Sequence, residues 1–198
     1  QREDMATPLR MLLPWALPLA FAGLIFAWFF HTEYGVVNDV VRRLWPGSEP
    51  TMWLLRPNWA FAAICLTIVW KTSSFMALIL LAGLQMIPRS LYEAAEVDGA
   101  SRWQILWRVV YPISRPTLSV LLVFFFIWTW NEFLIPLTFL ASNANQTIPV
   151  AISVLQGDRL MDVTTTSASA LLGIIPTLIF FLIFQRTLTH GITAGAVK

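Results

Sequence analysis

Between Ser90 and Ala100 the chain sets three carboxylates, Glu93, Glu96 and Asp98, beside Ala94 and Ala95, which are too small to anchor anything in lipid. Small side chains let a backbone approach a partner closely, and exposed carboxylates can pair with a partner's arginines. That pattern suits docking rather than bond-breaking. A second group is polar residues within apolar runs: Lys71, Asn131 and Glu132, with Trp128 and Trp130 close by. A charge at mid-membrane costs about 2.5–3.5 kcal/mol on insertion scales, so Lys71 is expected to face away from lipid, as a candidate lining of a pathway with Asn131 and Glu132. The tryptophans suit stacking on sugar rings or anchoring at the membrane interface.

Catalytic signals are missing. His31 and His190 are the two histidines and both flank apolar runs; neither H-E-x-x-H nor G-x-S-x-G occurs, and Cys65 is the single cysteine. No catalytic or metal-ligating set is expected. The chain also lacks G-x-x-x-x-G-K-[ST], so it has no Walker loop of its own for ATP.

The elements that must carry these residues are membrane helices. Of 198 residues, 57% are hydrophobic and 12% charged, and the mean hydropathy is +0.68, a balance unlike that of soluble domains. Ten Trp and fourteen Phe suit lipid contact and interfacial belts, whereas a net charge of +2, scattered along the chain, argues against a nucleic-acid partner. Four stretches, approximately 11–30, 59–84, 113–140 and 164–185, are apolar and about 20 residues or longer, enough to cross roughly 30 Å of hydrocarbon. Their apolar residues are continuous rather than alternating, which selects helices over barrel strands. The expected fold is therefore an all-α integral membrane protein with four visible spans in one domain, 1–198.

A cleaved leader ending near Ala20-Phe21-Ala22 is set aside, because the apolar run continues through Trp28-Phe29-Phe30 and three spans follow. Arg89, Arg102, Arg108 and Arg115 in the segment 85–116, with Arg186 and Lys198 in the tail, mark the loop 85–112 and the termini as cytoplasmic. Loops 31–58 and 141–163 then lie outside. The first weakens the rule, since Arg42, Arg43 and Arg56 are only partly balanced by Glu33, Asp39 and Glu49. Its Trp45, Trp53 and Trp59 among Pro46-Gly47 and Pro50 suggest a folded loop, which either meets an extracytoplasmic partner or anchors at the interface.

Within 85–112, Pro88 breaks the preceding helix, and Ser90-x-x-Glu93 reads as a capping box opening a short helix that Asp98-Gly99 ends. Ser101 is expected to cap a second helix that stops before Pro112, with Trp103, Leu106, Trp107 and Val110 on one apolar face. The result is a helix–turn–helix elbow. Its acids form either a docking knob or merely a capped, solvated helix face. In the third span Pro136 cannot donate to the carbonyl of Glu132, so a bend is expected there. At 1.5 Å per residue Lys71 lies about 18 Å and Glu132 about 12 Å from the outer ends, close enough for the two to approach; separate pairing with backbone is the alternative.

The string Glu93-Ala94-Ala95-x-x-Asp98-Gly99-Ala100, with Pro112 thirteen residues after Gly99, resembles the EAA loop of permease subunits from ATP-binding-cassette importers. The resemblance implies a coupling helix seated in a cleft of a separate ATPase, with Glu93, Ala94, Ala95, Asp98, Gly99 and Ala100 as the coupling interface. "LLPWALPLAFAGLIFAWFF", "VVNDV" and "VWKTSSFMALILLAGLQMIPRSLYEAA" look like the first permease of carbohydrate importers of the maltose type. "TWNEFLIPLTFL", "TIPVAISVLQG" and "QRTLTHGITAGAVK" look more like the second.

On that resemblance the four spans are the last four of a six-helix type I permease core. Two earlier spans are then missing through fragmentation, truncation or fusion of two subunits, alternatives the sequence leaves open. The implied partners are an ATPase dimer carrying ATP and Mg, a second and different permease, and an extracytoplasmic solute-binding protein, all at a bacterial inner membrane. No cofactor is expected in this chain. The competing reading is a self-sufficient secondary transporter or channel.

Overall fold

Prolines and glycines punctuate the chain into helices, and a computed structural model describes residues 12–140, 145–157 and 163–196, with side chains omitted at 156–157 and 186–196. Arg2, Arg10, Lys198 and the side chains of Arg186 and His190 lie outside the described residues. No strand occurs among the described residues. The helices are α1 (Leu13–Ala16), α2 (Leu19–Phe29), α3 (Val36–Leu44), α4 (Pro57–Gln85), α5 (Arg89–Val97), α6 (Arg102–Ile105), α7 (Tyr111–Trp130), α8 (Leu134–Leu140), α9 (Ile148–Gly157) and α10 (Val163–Ala196).

Three described helical runs are long and apolar enough to cross a membrane: Pro57–Gln85, Arg102–Trp130 and Val163–Gln185. The expected span at 11–30 is not one continuous helix. Pro18 has no amide hydrogen to continue the helix and holds extended backbone (ψ 142°), so α1 and α2 are separate, and α2 is 11 residues long. The third span also differs from 113–140. It begins at Arg102, ends at Trp130, and resumes as the short α8 after Asn131.

The contacts divide the chain into two compact units, Gln1–Ser74 with Asn131–Ile174, and Phe75–Trp130 with Ile175–Lys198. In the first, Phe26 and Phe30 of α2, Ala60, Ala63 and Ile64 of α4, and Ile135, Phe139 and Leu140 around α8 form the buried core. Gly23 makes that packing possible. A β-carbon there would sit 2.7 Å from Thr138 Oγ1 and 3.6 Å from the Ile135 backbone, so α2 and α8 approach as small residues allow in membrane helices.

In the second unit, Ile87, Ile105 and Val110 form a small core on which Tyr92, Ala95, Ala100 and Val109 pack. Further along the same unit, Phe126 of α7 stacks on Phe180 of α10 at 3.8 Å. Leu178, Ile179, Leu182 and Ile183 of α10 are exposed, the inverse of a water-soluble core and what contact with lipid requires.

Candidate coupling and pathway sites

The elbow is built by backbone geometry. Pro88 sits at the N-cap of α5 with extended backbone (φ −59°, ψ 136°) and no side chain caps the helix. Helical backbone starts at Arg89, so Ser90 is already inside the first turn. The expected Ser90–Glu93 capping box therefore does not form. Among the described residues Glu93 makes no hydrogen bond or ion pair, and its carboxylate stands exposed with those of Glu96 and Asp98.

The other end of α5 follows expectation closely. Gly99 adopts φ 77°, the left-handed conformation that glycine tolerates best. The Ala100 amide then donates to Ala95 O and the Gly99 amide to Glu96 O, both at 3.0 Å, the paired bonds of a Schellman motif. Its usual apolar contact is present too, since Ala95 and Ala100 both pack on the Ile87–Ile105–Val110 cluster. Ala94 is exposed whereas Ala95 turns inward, so the two alanines expected to fill one cleft face different ways.

The capping box lies eleven residues later than expected. Ser101 Oγ accepts from the Gln104 amide at 3.4 Å, and Gln104 Oε1 accepts from the Ser101 amide at 2.7 Å. Ser101-x-x-Gln104 was readable in the sequence as the same S-x-x-E/Q signature. The second helix does not stop before Pro112. Leu106–Val110 form a π turn, and the Tyr111 amide reaches back five residues to Leu106 O. A proline ring crowds the carbonyl four residues before it, and the wider turn falls where Pro112 makes that demand. Of the apolar face, Val110 is buried while Trp103, Leu106 and Trp107 remain exposed.

In the first unit Lys71 is 4% exposed. Its Nζ donates to the carbonyls of Pro14 (3.3 Å), Trp15 (3.1 Å) and Leu17 (2.5 Å) and lies 5.5 Å from the Trp15 ring centre. These oxygens are the ones that the break at Pro18 leaves without helical donors, at a helix end that favours a cation. Glu132, 7% exposed, is the counterpart. Its Oε1 accepts from the amides of Leu134 (3.0 Å) and Ile135 (3.2 Å), the free donors at the start of α8.

Lys71 and Glu132 each bond backbone and no ion pair within 4 Å joins them, but Glu132 lies near enough to act electrostatically on Lys71, so the two approach without meeting. Instead of the bend expected near Pro136, the helix breaks outright at 131–133. Asn131 is exposed at that break. In the second unit Trp128 packs on Phe124 at 5.6 Å and Trp130 lies nearly parallel to Phe126 at 6.0 Å, both tryptophans half-buried.

Sequence reasoning passed over Asn38, which is 1% exposed. Its Nδ2 donates to Thr32 O (2.8 Å) and Thr51 O (2.9 Å), and its Oδ1 accepts from the Thr51 amide (3.1 Å) and Trp53 Nε1 (2.8 Å). Every hydrogen-bonding position of this amide is used, which pins 32–53 into one folded loop. An asparagine within Val-Val-Asn-Asp-Val was the only hint.

Sulfoquinovosyl glycerol transport system permease protein SmoG of Agrobacterium fabrum is 61% identical over 135 residues, 67% of this chain and 43% of that protein. SmoH, named for the same transport system, is 36% identical over 121 residues, 61% of this chain and 42% of its own. Trehalose/maltose transport system permease protein MalF of Thermococcus litoralis is 42% identical over 113 residues, 57% of this chain and 38% of its own. The chain thus spans about two fifths of the curated relatives it matches.

A chain in the crystal structure of a bacterial alginate ABC transporter, in complex with an alginate pentasaccharide-bound periplasmic protein, superposes with a TM-score of 0.72 at 25% identity. The match covers 92% of this chain and 64% of that one. The pattern of the family described as binding-protein-dependent transport system inner membrane component matches residues 7–193. With its all-helical fold and the helices that carry the elbow, the chain belongs to that family.

Proposed function

We propose that this chain is the pathway-forming part of an importer permease for a sugar or sugar-like solute, driven by a separate ATPase that docks on the elbow. The observation that carries the reading is the exposed surface of the elbow, where Glu93, Ala94 and Glu96 of α5 and Asp98 at its C-cap stand uncommitted beside a Schellman turn at Gly99. A carboxylate consumed by capping would be a poor docking group; Glu93 is not consumed. Asp98, Gly99 and Ala100 fix the turn, and Ala95 ties it to the core beneath.

The helical run from Arg102 to Trp130 would carry a displacement of the elbow along 29 residues without a stop. Asn131 and Glu132 follow directly at its end, so they and Lys71 are the pathway candidates we retain, with Trp128 and Trp130 as stacking surfaces. The chain would have no catalytic activity, ATP and Mg residing on an ATPase dimer. The names of SmoG, SmoH and MalF support a carbohydrate-like solute, and the periplasmic protein in the alginate structure supports a solute-binding partner. The higher identity to SmoG than to SmoH supports a heterodimer with a different second permease. The elbow and visible termini would face the cytoplasm.

Lys71 and Glu132 each hold a broken helix end, which weakens a self-sufficient ion-coupled carrier. Sugar uptake by proteoliposomes holding the full importer tests the choice. Deleting 90–100 should abolish ATP-dependent uptake; uptake that persists on an ion gradient alone would favour the carrier.

A further inference from the structure

The helix α3 presents three sectors, and one is left exposed among the described residues. At 100° per residue, Val37, Asn38 and Val41 share a side about 100° wide; Val37 packs against the core of Phe26 and Phe30, and Asn38 is buried. Asp39, Arg42 and Arg43 share a second side, where Arg43 bonds Asp39 at 2.9 Å. Val36, Val40 and Leu44 fall on the third, about 80° wide, and are 43%, 47% and 64% exposed.

Water is a poor neighbour for such a stripe, and its surroundings indicate what covers it. Tyr34 and Trp45 flank it at either end, both exposed, and exposed Trp59 opens the membrane-crossing α4 two residues after Pro57. Amphipathic rings of this kind collect at the headgroup level of a bilayer. Exposed Arg43, about 20° from Val36 on the wheel, borders the stripe and is complementary to lipid phosphates, while exposed Arg42 lies on the side away from it. We infer that α3 lies in the plane of the membrane interface, with Val36, Val40 and Leu44 among the acyl chains, Arg43 at the headgroups and Arg42 turned toward water. The Asn38 network holds the loop rigid so that the helix keeps this roll.

The test places a nitroxide at Val40→Cys, and separately at Leu44→Cys and Arg42→Cys, in the full importer. The complex is held in nanodiscs of phosphatidylethanolamine and phosphatidylglycerol without any soluble partner. Collisions with oxygen and with a water-soluble nickel chelate are then compared. Labels at 40 and 44 should favour oxygen by severalfold, and the label at 42 the chelate. Preference for the chelate at 40 and 44 would overturn the proposal, as would protection from both reagents, which would mean that a protein covers the stripe. Position 44, at the helix end, reads the same stripe should the Val40 variant misassemble.

Discussion

At the scale of single residues, two charges buried in apolar surroundings do the same work at opposite helix polarities. Lys71 collects three carbonyls at the Pro18 break, and Glu132 collects two amides at the start of α8. Lys71→Met should lower the midpoint of thermal unfolding in detergent, each stranded carbonyl costing about 1–3 kcal/mol; an unchanged midpoint would contradict the assignment. Glu132→Gln keeps a side-chain oxygen for the cap, whereas Glu132→Ala removes it and should cost about 1 kcal/mol. Equal thermal midpoints for the two variants would remove the capping role. The expense of Lys71 in lipid was legible in its sequence position, but its partners were not, because they lie more than fifty residues away in a turn that only the fold brings near.

Elements were legible where local chemistry governs them. Asp98-Gly99 ends α5 and Ser101 opens α6 as the residue types require. Ser90–Glu93 misled because Pro88 itself starts the helix two residues early, and Pro112 misled because a π turn absorbs it. Gly99→Val places a branched side chain at φ 77° and should destabilise the turn by about 1–2 kcal/mol; faster amide exchange at Ala100 and Ser101 is the check. Replacing Gly23 by valine forces its β-carbon against Thr138, whose hydroxyl already donates to Ile135 O at 2.8 Å. That variant should separate α2 from α8 and lower folded yield well below that of Thr138→Ala, which leaves the approach open.

For the molecule as a whole, hydropathy and charge placement were enough to identify a helical membrane protein, because backbone in lipid has few alternatives. They were not enough to count its long helices, since composition does not reveal that Pro18 and Asn131 end helices inside apolar runs. The elbow was legible through a long specific string, and the structure adds that its acidic face is uncommitted and that the helix after it is unbroken to Trp130. The most direct measurement is co-purification of the full-length protein with the ATPase of its transporter, comparing wild type with Glu93→Arg while reading solute uptake. Glu93 lies on an exposed helix face, so the folded yield should be unchanged while ATPase recovery and uptake both fall at least tenfold. A Glu93→Arg complex that assembles and transports as wild type would contradict coupling through this face.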